Sequence, residues 1–153
     1  MSADIRDVDP TDPVMSFLID RHLTLMRASS PACSVHAMEA ADLAEAGVRF
    51  FAAFDGETPV AMGALKRISD GHGELKSMHV IAARRGEGLA DAILSRLLDE
   101  ARAGGMRRVS LETGSQPPFA AARAFYLRHG FEDCPPFEGY VEDPHSVFMT
   151  KRL

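Results

Sequence analysis

The segment from Met78 to Glu112 constrains the fold of this chain more than any other. An apolar stretch ending in Met78-His79-Val80-Ile81 enters a turn with two glycines, Arg85-Gly86-Glu87-Gly88-Leu89-Ala90. A helix follows over 87–103. Leu89, Ala90, Ile93, Leu94, Leu97, Leu98 and Ala101 recur in it at spacings of three and four, and Gly104-Gly105 stops it. Arg108 to Glu112 then alternates like a strand. A strand, a helix and a strand joined in this way imply a parallel crossover. The first amides of a helix have no intrahelical acceptor, and the helix dipole adds partial positive charge there. Glycines let the backbone turn tightly and let a bulky phosphate approach. With Arg84 and Arg85 beside it, the turn is a physically sensible pyrophosphate site.

The flanking sequence defines the rest of the frame. Residues 48–54, 59–68 and 74–81 read as strands. Asp55-Gly56-Glu57-Thr58 and the turn from Ser69 to Gly73 join them closely, which makes an antiparallel meander. Ahead of it, 5–8 suits a short strand. A helix over 13–28 is expected, with Asp12 as cap and Pro13 in the first helical position. Residues 36–46 read as a second helix closed by Gly47. After the crossover come a helix over 118–129 and late strands at 131–134 and 147–153. The expected architecture is mixed α/β, with flanking helices around a central mixed sheet. The length of 153 residues suits one domain, 1–153.

Composition excludes several classes. The formal net charge is -5 and the pI about 5.6, so general nucleic-acid binding is not expected. Arg84, Arg85, Arg107 and Arg108 read as a local basic cluster that can still meet an anionic ligand. Cys33 and Cys134 are expected to be reduced thiols, and no Cys/His pair has zinc-ligand spacing, so no metal is expected. No apolar run approaches the roughly 18 residues that would span a bilayer. The N-terminal residues lack a basic segment followed by an apolar one, so a cytoplasmic location is expected. The turn does not match a P-loop. A dinucleotide fold is a rival, with Gly86-x-Gly88 and a later Glu112. Its third small position falls on Asp91, and a meander precedes the turn; both disfavour it.

Arg85-Gly86-Glu87-Gly88-Leu89-Ala90 resembles the signature Arg/Gln-x-x-Gly-x-Gly/Ala of the GNAT superfamily of N-acetyltransferases. Ala122, Tyr126, Gly130 and Phe131 match that family's Ala-x-x-x-Tyr-x-x-x-Gly-Phe. The resemblance covers 48–153 and extends to a bacterial subgroup of small acetyltransferases with undefined acceptors. It implies the acyl-CoA N-acyltransferase fold, with the parallel crossover at the CoA site and acetyl-CoA as co-substrate. It also implies that backbone amides of Arg85, Gly86, Glu87, Gly88, Leu89 and Ala90 hold the pyrophosphate. Backbone groups of Met78, His79 and Val80 would pair with the pantetheine arm, on a strand that splays from its parallel neighbour, and Phe125 is placed at the cofactor. The acceptor would be a primary amine of a small molecule or peptide, acetylated by direct attack. The fold often pairs into homodimers through sheet edges or late strands.

Tyr126 matches the family tyrosine near the thioester sulfur, where a phenol can protonate the leaving thiolate. The attacking amine must lose a proton. Glu74 is the first candidate base, and His79 the second. His145, with Tyr140, Glu142 and Asp143, is a candidate lining of the acceptor pocket. One position departs from the family: many members have Asn seven residues before the tyrosine, and here it is Phe119. The expectation is therefore either a reshaped acceptor pocket or an acetyl contact moved to Ser115 or to backbone. The competing reading is a CoA-binding module that has lost transfer.

Overall fold

The computed structural model describes residues 3–31 and 36–153. Among the described residues, seven strands form one sheet: β1 (Asp4–Asp7), β2 (Val48–Asp55), β3 (Thr58–Ser69), β4 (His72–Val80), β5 (Arg108–Gly114), β6 (Glu132–Asp133) and β7 (Ser146–Arg152). Their order across the sheet is β1-β2-β3-β4-β5-β7-β6. Four α-helices accompany them: α1 (Ser16–Ser29), α2 (Ala40–Leu43), α3 (Leu89–Ala103) and α4 (Ala120–Arg128). The meander and the crossover stand as expected: β1 to β4 pair antiparallel, and β4 pairs parallel with β5. One parallel pair beside a meander is not a doubly wound sheet, so the dinucleotide fold is excluded.

The sheet is buried on both faces, which explains the near-continuous apolar runs of β2 and β3. Along β2 successive side chains alternate between two cores. Phe50, Ala52 and Phe54 pack with Leu18, Leu43 and Met62 under α1 and α2. Phe51 and Ala53 pack with Ile93, Leu94 and Leu97 of α3 on the opposite face. Gly63 lies directly against α3. A Cβ there would meet Met78 Sδ at 2.6 Å and Ile93 Cγ2 at 2.7 Å.

Several boundaries differ from the sequence reading, each for a local reason. The first helix opens with a 3-10 turn (Pro13–Met15), capped by Asp12 Oδ1, which accepts from Val14 N–H at 3.0 Å. The second helix spans only Ala40–Leu43. A capping box between Glu39 and Asp42 fixes its start, so His36 to Met38 stay outside it. α3 begins at Leu89, two residues later than expected, because Gly88 sits at φ 83° and cannot be a helical residue. β1 is displaced to Asp4–Asp7 by its pairing with Phe51–Phe54. The late strands pair antiparallel at the edge of the sheet, with β7 between β5 and the two-residue β6. Cys134 carries a free thiol, and Cys33 lies outside the described residues. Among the described residues no helix is long and apolar enough to cross a membrane.

Candidate active site

Two features of β4 open a cleft in the sheet. The first is the end of its pairing with β5, which covers only His72↔Arg108, Gly73↔Val109 and Glu74↔Ser110. β5 stays with β7 along its whole length, from Arg108↔Arg152 to Gly114↔Ser146, and so parts from β4. The second is a β-bulge. Met62 faces His79 and Ala64 faces Lys76, so Gly63 alone opposes Ser77 and Met78. Ser77 has φ 56°, a left-handed value for a non-glycine residue. Bulges bend a strand and re-aim its side chains.

The gap between the parted strands is a cavity of about 170 Å³. Ser77 and Met78 line it from β4, Leu111 and Glu112 from β5, and Tyr126 from α4. Ile81 N–H donates to Val60 O at 3.0 Å. Backbone groups alternate in direction along a strand, so those of Val80 and Met78 turn toward the edge that β5 has left, while those of His79 face β3. Ser77 Oγ is buried and finds no hydrogen-bond partner among the described residues.

The glycine turn lies just beyond the end of β4. Gly86 and Gly88 have φ 79° and 83°, and a Cβ on either would meet nothing within 4 Å. Gly88 caps α3 without any side-chain hydrogen bond, which leaves the first-turn amides open. Arg85 is exposed and has no ion-pair partner among the described residues. The expected four-arginine cluster does not form. Arg84 is held by Asp55 at 2.8 Å and Glu87 at 2.9 Å. Arg107 and Arg108 sit at the start of β5, where Arg107 N–H bonds Gly71 O, at the opposite end of the parallel pair from the turn.

Tyr126 is 7% exposed, and burial pushes its phenol well above the usual range, so it keeps its proton. Phe125, beside it, does not line the cavity; its ring packs against Tyr126 and against His129 at 4.7 Å. Phe119 is 9% exposed and lines the cavity, resting where a Cβ on Gly114 would lie 2.2 Å from its ring. His145 lines the same cavity, and its backbone N–H is held by Asp143.

The two candidate bases are placed differently from the sequence reading. The Glu74 carboxylate accepts from Tyr140 Oη at 2.6 Å and from Lys76 Nζ at 3.4 Å. It lines a neighbouring pocket of about 480 Å³, not the cleft itself, and Tyr140 does the same. Burial first, and then the Glu74 charge, push the Tyr140 phenol up. The His79 side chain turns to α1, where its Nδ1 meets His22 Nδ1 at 3.3 Å. Burial drives both imidazoles down to about 4, so both are neutral near pH 7.

Lys76, His36 and Glu112 also stand at this cleft; the sequence reading gave the first two no role and weighed Glu112 only as the acid of the dinucleotide rival. Lys76, shared by both pockets, donates to Tyr140 Oη at 3.0 Å and to His36 O at 3.1 Å. His36 Nδ1 lies 2.7 and 2.8 Å from the two oxygens of Glu112, which also accepts from Ser146 Oγ at 2.9 Å. The His36–Glu112 pairing spans 76 positions, and no local motif could reveal it.

The site thus combines a cleft between parted parallel strands, an open helix start and a buried phenol. The Acetyltransferase (GNAT) family profile matches residues 15–131. The chain is 42% identical over 136 residues to the uncharacterized N-acetyltransferase YsnE of Bacillus subtilis strain 168, covering 89% of this chain and 90% of that one. It is 40% identical over 149 residues to YedL of Escherichia coli K12, a protein of the same description, covering 97% and 94%. Among solved structures, one named as an acyl-CoA N-acyltransferase from Klebsiella pneumoniae superposes with a TM-score of 0.81 at 29% identity, covering 99% and 97%. The chain belongs to the GNAT family and is an acetyl-CoA-dependent acetyltransferase.

Proposed function

We propose that the protein moves an acetyl group from acetyl-CoA to a primary amine of a small molecule or peptide by direct attack, with no covalent enzyme intermediate. The observation that carries this reading is that β4, unpaired with β5 beyond Glu74, runs from the cleft toward the glycine turn. A ligand with a pyrophosphate on the open amides of Gly86 to Ala90 has an extended edge of β4, at Val80 and Met78, along which to run. Its far end then arrives beside Tyr126. Arg85 supplies the free positive charge at the turn. Tyr126, protonated and desolvated, is placed to give its proton to the leaving thiolate.

The acceptor side is the wall made by Phe119, His145, His36 and Glu112, continuous with the neighbouring pocket through Lys76. Glu74 and Tyr140 belong to that outer pocket and are assigned to orienting Lys76 and the approaching amine. A primary amine enters as an ammonium ion, and the Glu112 and Glu74 carboxylates favour its approach.

The test is thiol release from acetyl-CoA, followed continuously, against a panel of amines, amino acids and short peptides. Amine-dependent release supports the reading. Tight CoA binding with no release for any amine supports a binding module and contradicts it.

A further inference from the structure

Acetyl transfer needs a group that takes the proton of the attacking amine. We infer that this group is His36, oriented as a base by Glu112, an assignment that rests on the transfer reading above. A carboxylate only accepts hydrogen bonds, and Glu112 presents both oxygens to His36 Nδ1 at 2.7 and 2.8 Å. Nδ1 therefore carries a hydrogen, and in the neutral ring Nε2 is left with its lone pair. Glu112 is itself fixed. Its side chain is 11% exposed, and Ser146 Oγ donates to it. His36 is held on two further sides, by Lys76 Nζ on its carbonyl and by the Tyr140 ring, edge to face at 5.2 Å. A side chain fixed by a second residue while its outer nitrogen stays available is the arrangement that proton transfer from a nucleophile requires.

The competing groups are less able to serve. Glu74 already accepts from Tyr140 and Lys76 and does not line the cleft. His22 lines it, but its Nδ1 is engaged with His79 and it sits in a desolvated contact. His36, Glu112 and Tyr126 all line the one cavity.

The step balances as follows. The entering ammonium first loses one proton to solvent. The neutral amine nitrogen then bonds to the acetyl carbonyl carbon as the C–S bond breaks, its next proton goes to His36 Nε2, and the thiolate takes the phenol proton of Tyr126. Exchange with solvent returns His36 to its neutral form and restores the phenol. His36 acts on the reacting amine; Glu112 and Ser146 are positioning residues. Glu112 from β5, Lys76 from β4 and Tyr140 from the loop before β7 contact His36; His22 and His145 line the cleft with it, and Asp42, Glu45, Lys66, Arg67, Glu74 and Glu138 line the neighbouring pocket it shares.

The experiment uses His36→Gln and Glu112→Gln in the full chain, with benzylamine and trifluoroethylamine as probe acceptors. Thermal shift with CoA comes first, and both variants are expected to match the parent, which separates loss of the base from loss of the donor site. His36→Gln should lower kcat/KM for benzylamine by about a hundredfold or more, the usual scale of general-base catalysis. It should cost far less with trifluoroethylamine, whose weakly basic nitrogen loses its proton without help. Unchanged turnover, or equal losses for both amines, would overturn the assignment. If neither probe is acetylated, side-chain ¹⁵N shifts decide: the Nδ1–H tautomer at His36, altered in Glu112→Gln, supports the assignment, and the Nε2–H tautomer overturns it.

Discussion

Glu74 on β4 and Ser110 on β5 are the last partners of the parallel ladder, and every later residue of the two strands runs apart. That single stop makes the site. One strand keeps its partner β7, the other is bent by a bulge at Ser77, and the space between them becomes a cleft with an unpaired backbone edge. The glycine turn follows just beyond the end of β4, and the proposed donor site joins the two.

Gly88→Ala tests the turn. Gly88 has φ 83°, where an L residue costs about 1–2 kcal/mol, although its Cβ would meet no atom within 4 Å. The strain should shift the start of α3 and loosen the amides. CoA affinity, measured by calorimetry, is expected to fall by about tenfold, the equivalent of ~1.4 kcal/mol. An unchanged affinity would remove these amides from the site.

Gly63→Ala tests the bulge and the packing of α3. A Cβ would meet Met78 Sδ at 2.6 Å, Ile93 Cγ2 at 2.7 Å and Leu97 Cδ1 at 3.0 Å. Overpacking of this kind costs about 1–3 kcal/mol, to be read from urea unfolding. A change within error would mean that α3 is not fixed against β3 at this point.

Much of this was legible in the chain, and the reasons are local. The meander follows from short turns such as Asp55-Gly56, and the helix start from Gly86 and Gly88, whose positive φ values glycine tolerates. Long-range relationships were not legible. Nothing near His36 announces Glu112, and nothing near His79 announces His22. The second helix read too long because His36 to Met38 look compatible with helix, while the Glu39–Asp42 capping box starts it later. Arg107 and Arg108 read as neighbours of the turn because the crossover returns toward it in sequence. The parallel register instead places them at the far end of the strand.

The buried pair His22 and His79 predicts a pH dependence of stability. Burial holds both imidazoles near 4 in the fold, against about 6.5 in the unfolded chain. The unfolded state therefore binds more protons between those values, and stability is lost as pH falls from about 6.5 toward 4. Each unit of depression corresponds to about 1.4 kcal/mol per group. Urea unfolding at pH 7 and pH 5 should show this loss, and His22→Phe should make it smaller. An equal loss in the variant would place the titration elsewhere.

Tyr126→Phe removes one hydroxyl from the cleft. The ring keeps its packing against Phe131 and Phe125. Turnover should fall by about a hundredfold, the lower range for a general acid. CoA affinity should stay within twofold of the parent. Unchanged turnover across pH would show that the thiolate leaves without this proton.

The most direct test of the central claim is a crystal structure of the protein with acetyl-CoA. The account predicts the pyrophosphate within hydrogen-bond distance of the amides of Gly86 to Ala90. It also predicts the pantetheine arm along β4 at Val80 and Met78, and the thioester beside Tyr126. Acetyl-CoA bound elsewhere, with the cleft between Glu74 and Gly114 empty, would contradict it.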